Sequence, residues 1–144
     1  MKKVLVFGLV CTLFLTGCGG KKLTCTMSEN ENGMTSEAKV VLTFDKEGKE
    51  IQKGTVTMSV KVGEEYASLL YYMVAAAETE YAGIKDFAKV YIKSSDNSIS
   101  AKVSYKTKGL TEDQLDELEY AGVYDDTTYE ETKESFEDMG YTCK

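Results

Sequence analysis

From Ala38 to Phe44, and again from Val56 to Val62, apolar residues occupy every second position, and that period of two commits the middle of the chain to antiparallel sheet. Side chains alternate across a strand, so Ala38, Val40, Leu42 and Phe44 share one face. In the second run Val56, Met58, Val60 and Val62 point inward, and Thr55, Thr57, Ser59 and Lys61 point outward. Between the runs, Asp45-Lys46-Glu47-Gly48 supplies a turn with a glycine free to take positive φ, which predicts a hairpin. Residues 87–93 and 99–106 predict a second hairpin around 94–98. Its inner face is Ile99, Ala101, Val103 and Tyr105, and its outer face is Ser100, Lys102, Ser104 and Lys106. Residues 23–28 read as a first strand followed by a polar turn over 29–33, and 141–143 as a short last strand.

The period changes over 64–82. Glu64 and Glu65 suit the positive end of a helix dipole, Leu69, Leu70, Met73, Val74, Ala77 and Tyr81 fall on one helical face, and Gly83 follows as a stop. This segment predicts the long core helix, packed on the sheet. Thr111-Glu112-Asp113-Gln114 matches a capping box, with Leu110 and Leu115 placed as a hydrophobic staple, so a short helix starts at Glu112. A last helix runs over about 129–139, with Gly140 in the αL position and Tyr141 against Phe136. The expectation is an α+β fold: an antiparallel sheet of two hairpins plus terminal strands, one long core helix, and two short acidic C-terminal helices.

The amino terminus carries Lys2 and Lys3, then the apolar run 4–15, then small residues and Cys18. That is the layout of a secretory signal, and the run is shorter than the ~20 residues that a spanning helix needs. Leu15-Thr16-Gly17-Cys18 resembles the lipobox of bacterial lipoproteins, in which the cysteine is joined to diacylglycerol and becomes residue one after cleavage. The alternative is an ordinary cleaved signal with an incidental cysteine. The lipobox reading divides the chain into a signal peptide (1–17), a lipidated tether (18–22) and a single domain (23–144). It places the domain on the outer face of the bacterial cytoplasmic membrane, or on the outer membrane where the source has one.

Removing Cys11 with the signal and committing Cys18 to lipid leaves Cys25 and Cys143. Near opposite ends of one domain in an oxidising compartment, they read as a disulfide, the alternative being two free thiols. Closing so long a loop stabilises a domain by ~4 to 5 kcal/mol in the chain-entropy model.

Without its signal the chain has 15 lysines against 24 acidic residues, a net charge of −9, which makes nucleic acid a poor partner. Between Thr111 and Met139, 12 acidic residues meet Lys133 alone. Solvated helix faces account for such a block by default, with partial neutralisation by the lysine-rich hairpin as a further possibility. Asp125-Asp126-Thr127-Thr128 lacks the alternating carboxylates and central glycine of a calcium loop, and no metal is expected. The chain has no His, which removes Ser-His-Asp and Cys-His catalysis. A carboxylate pair could serve glycoside hydrolysis, but nothing singles out two of 24. Phosphate-binding glycine motifs are missing, so no enzyme activity and no cofactor are expected.

Ten tyrosines are many for 144 residues. Most sit at apolar phases, which predicts core and boundary packing, and Tyr71 or Tyr72 is the least explained by packing because helical neighbours point about 100° apart. Tyr120, Tyr124 and Tyr129, within the acidic segment, are the candidate binding residues. With Cys18 at the membrane, Lys21, Lys22 and Lys144 are expected to face anionic lipid while the acidic segment points away.

The lipobox, the helix ending Glu80-Tyr81-Ala82-Gly83-Ile84, the hairpin over 87–105 and the closing Met139-Gly140-Tyr141 together resemble the YehR-like family of small bacterial lipoproteins. The resemblance implies an α+β fold and membrane anchoring. It carries over no functional residue but Cys18, and the family's biochemical role is not established. The reading is of a non-enzymatic, membrane-anchored domain that binds a protein or envelope component. Its alternative is a small-molecule or ion-binding module auxiliary to a transporter, with a cavity between the long helix and the sheet.

Overall fold

The computed structural model describes residues 20–144. The signal segment, Cys11 and the lipobox with Cys18 lie outside the described residues. The fold is α+β, with a six-stranded antiparallel sheet and three α-helices among the described residues. Strands β1 (Lys22–Glu31), β2 (Met34–Phe44), β3 (Ile51–Lys61), β4 (Lys89–Ser94), β5 (Ser98–Lys106) and β6 (Thr142–Cys143) stand in the order β4-β5-β3-β2-β1-β6. Helix α1 (Ala67–Glu80) joins β3 to β4, while α2 (Glu112–Tyr120) and α3 (Tyr129–Asp138) lie between β5 and β6.

The alternating runs set the register. Val40 stands opposite Val56 and Val56 opposite Val103, so one apolar face is continuous across β2, β3 and β5. Leu23 and Cys25 extend it on β1, opposite Leu42 and Val40. Tyr81, Ile84, Leu118, Ala121 and Val123 close this core from the helical side. β1 runs further than the sequence reading placed it and turns at Asn32-Gly33, with φ of 51° and 77°. Two consecutive positive φ values are what a tight two-residue hairpin demands, so β1 and β2 form a third hairpin.

Three expectations change. Met58 has the inward phase but is 41% exposed, because it falls between the main cluster and a smaller one built on Val62, Leu70 and Ile99. The segment 64–82 is not one helix: Glu64 and Glu65 sit in a separate 3-10 turn (Glu64–Tyr66), and Ala82–Ile84 forms another. Nor is α1 the centre of the core. It packs at the β4–β5 side of the sheet and fully buries Leu70 alone, leaving Leu69 46% exposed.

The later helices follow local rules. Thr111 and Gln114 close the capping box at α2, and Thr128 and Glu131 close another at α3. At the end of α3, Gly140 has φ 93°, the Tyr141 N–H donates to the Phe136 carbonyl at 2.9 Å, and the two rings meet at 5.0 Å. Tyr141 leads into β6. There Cys143 stands opposite Cys25, and the two form a disulfide across 118 residues of sequence with a Cα–Cα distance of 4.1 Å.

Candidate functional site

All three helices contribute to the apolar side of the sheet, and the other side is open. Its composition follows from the same alternation that built the core. Lys53 and Lys61 on β3, Lys89 and Lys93 on β4, and Lys102 and Lys106 on β5 are exposed and share this phase with Lys39 on β2 and Lys22 on β1. Glu37 is the one acidic strand residue among them. Threonine and serine fill the positions between, such as Thr55 and Ser104, whose hydroxyl oxygens meet at 3.2 Å across β3 and β5.

One end of this face is a groove of about 730 Å³. Its row of strand partners runs Lys22 to Thr43, Thr43 to Lys53 and Lys53 to Lys106. Lys85 and Asp86, before β4, and Lys108, after β5, flank it, and Lys89 completes a set of five lysines against one aspartate. Val41 and Ser104 line the sheet side, while Phe87 and Leu110 supply apolar walls. Among the described residues, ion pairs form between Lys49 and Glu47 and between Lys133 and Glu137, so no groove lysine has a carboxylate partner. The groove lies on the face away from α1, not between α1 and the sheet where the sequence reading looked for a cavity.

The acidic segment is on the other side. Leu118 of α2 is fully buried in the main core, and Phe136 of α3 packs against it. The lysines of the β4–β5 hairpin form no ion pair with the carboxylates of these helices, and Lys108, just after β5, is the lysine that borders Glu112, Asp116 and Glu119. Lys21 also departs from expectation. Its ammonium lies 5.5 Å from the Tyr129 ring centre on the helical side, whereas Lys22 belongs to the open face. Lys144 exchanges backbone hydrogen bonds of 2.9 Å with Thr24, a residue of the open-face phase.

The three candidate tyrosines do not form one surface. Tyr129 meets Phe44 edge-on at 5.5 Å, and Tyr124 meets Tyr105 edge-on at 6.2 Å. Burial, followed by the nearby carboxylates of Asp126 and Glu50, pushes the Tyr124 phenol above its ordinary range. Tyr120 is the exposed one of the three, at 88%.

A second exposed feature is the outer side of α1. Tyr71 and Tyr72 are 76% and 69% exposed, with their rings edge-to-face at 5.7 Å. Leu69, Ala75 and Ala76 are exposed beside them, and a shallow groove along Ala75, Ala76 and Thr79 reaches Tyr120. No charged residue occurs from Ala67 to Ala77. That was the available sequence signal, since a helix apolar all round must find cover on both sides.

Among the described residues, no three His, Cys, Asp or Glu side chains gather to hold a metal ion. Nor is any helix among them long and apolar enough to cross a membrane. Compared with known protein families, curated proteins and solved structures, the chain gives no match.

Proposed function

We propose that this chain is a lipid-anchored, extracytoplasmic binding domain without catalytic activity, and that its partner is a protein held on the outer side of α1. The observation that carries the reading is the exposed, uncharged face of Leu69, Tyr71, Tyr72, Ala75 and Ala76, continued past Thr79 and the single carboxylate of Glu80 to Tyr120. Tyrosine offers a large contact area with few torsions to freeze, and it is enriched among the residues that dominate binding energy. Small residues at Ala75 and Ala76 let a partner's backbone approach closely. Anchoring rests on the lipobox at Cys18, and the resemblance to the YehR-like lipoproteins agrees with it. The two acidic helices of the C-terminal segment, α2 and α3, would then stand as solvated faces around the binding surface and favour a partner with a basic rim.

A photo-crosslinking amino acid at position 72, introduced into the full chain in intact cells, tests this. A discrete adduct is expected at 72 and not at position 57 on the open sheet face, and Tyr71→Ala with Leu69→Ala should abolish it. Equal labelling from both positions, or an adduct indifferent to those substitutions, overturns the assignment.

A further inference from the structure

The partner surface on α1 leaves the lysine groove unused, and the groove's position relative to the start of the domain gives it a meaning. The chain is fixed to the sheet from its first described residues. A Cβ on Gly20 would collide with the Phe44 carbonyl oxygen, and the Phe44 N–H donates to the Lys21 carbonyl at 2.8 Å. Cys18 precedes Gly20 by two residues, which reach about 7 Å at full extension. An acyl anchor on Cys18 would thus be limited by chain length alone to the neighbourhood of Gly20, at the end of the sheet where β1 begins. The row from Lys22 through Thr43 and Lys53 to Lys106 crosses that same end, and the groove opens from it.

We propose that the groove is a seat for the anionic phospholipid headgroups of the membrane that carries the anchor. The inference rests on lipidation at Cys18 for its geometry, while its charge stands independently. Five lysines line the groove with one carboxylate, Asp86, and none forms an ion pair, although Lys108 at the rim also borders Glu112, Asp116 and Glu119 of α2. Phosphodiesters supply the missing counter-charge, the Thr43 hydroxyl and the one proton left free by the Thr55–Ser104 hydroxyl pair donate to phosphate oxygens, and Phe87 and Leu110 offer apolar contact to the glycerol region. Without its signal the chain carries a net charge of −9 and is repelled by an anionic bilayer as a whole. Screening limits that repulsion to about 8 Å at physiological salt, so the surface senses the face nearest to it. Here Lys53, Lys85, Lys89 and Lys106 line the groove away from α3, and Lys108 at the rim separates them from the nearest carboxylates of α2. A lysine at an anionic surface raises partitioning about fivefold.

The chain has no Trp, so Tyr91→Trp on the open face and Tyr120→Trp on the helical side each give a single tryptophan, excited selectively beyond the absorption of the remaining tyrosines. The full lipidated chain is reconstituted in vesicles of brominated phosphatidylcholine, with or without phosphatidylglycerol. Quenching is expected at Tyr91→Trp and not at Tyr120→Trp, only with phosphatidylglycerol, and it should fade in high salt. Equal quenching at both positions overturns the proposal.

A second arm adds the chain from residue 18 onward with Cys18→Ala, which carries neither acyl chain nor apolar signal, to the same vesicles from solution, so that a missing anchor and an inactive groove give different results. Preference for phosphatidylglycerol should survive, and Lys53→Gln with Lys106→Gln should reduce it at least about tenfold. Lys61→Gln with Lys93→Gln, at the far end of the face, should reduce it much less. Indifference to phosphatidylglycerol, an equal loss from the far pair, or binding of soluble glycerophosphate in place of vesicles overturns it.

Discussion

Gly54 on β3 and Tyr105 on β5 stand directly opposite each other, and the tyrosine ring occupies the space a side chain at 54 would take: a Cβ there would lie 2.5 Å from the ring's Cζ and Oη. The Tyr105 hydroxyl continues past the glycine to donate to the Val123 carbonyl at 2.8 Å, and burial pushes its ionisation far above the usual range. A glycine inside a central strand is ordinarily a weakness, and here it admits the ring that links the sheet to the segment after α2.

Gly54→Ala should therefore destabilise the fold by about 1–3 kcal/mol through overpacking. In a Tyr105→Val background most of that cost should vanish, because the two residues compete for one volume. Urea midpoints of the two single variants and the double variant give the coupling directly.

Reducing the Cys25–Cys143 disulfide, or replacing both cysteines by serine, should cost about 2–5 kcal/mol. Intact mass should rise by two protons on reduction, and the thermal midpoint should fall in parallel. Since β6 is two residues long, amide exchange should accelerate first at Thr142 and Cys143 and along the β1 positions they cover.

At the start of α3, the Glu131 carboxylate accepts the Thr128 N–H at 3.0 Å and its hydroxyl at 2.8 Å, which hold it below the usual carboxylate range. A lowered native pKa contributes stability at neutral pH that disappears as the pH falls through that native value. Thr128→Ala should cost about 1 kcal/mol at neutral pH. Chemical denaturation across an acid series should show its penalty shrinking as Glu131 becomes protonated.

Cys18→Ala should abolish incorporation of labelled fatty acid and release the chain from salt-washed membranes, because each buried CH₂ of an acyl chain contributes about 0.8 kcal/mol to retention. Unchanged fractionation of that variant would remove the lipoprotein assignment.

Much of the sheet was legible because alternation encodes phase and register without tertiary information. Val40, Val56 and Val103 line up as their sequence phases demand, and the spare cysteines meet where the first and last strands do. Local chemistry was equally readable at Thr111 and Gly140. What escaped depended on cover. Met58 has the inward phase, but no helix reaches it, and α1 is apolar on a side that nothing in the domain covers. The lysine groove escaped for another reason. It gathers Lys53, Lys85, Lys89, Lys106 and Lys108 from separate segments, and only the strand order β4-β5-β3 brings them together.

The position of β1 between β2 and β6 also has a mechanical meaning. If the anchor holds the beginning of β1 and a partner tugs on the far side of the domain, the load enters through Gly20 and runs along the strand. Hydrogen bonds perpendicular to such a pull are strained together, in shear, and do not peel one after another. Ten residues of β1 pair with β2, and a covalent rivet joins β1 to the chain's other end. A tether at that point would load the sheet through a strand held by ten residue pairs and a disulfide.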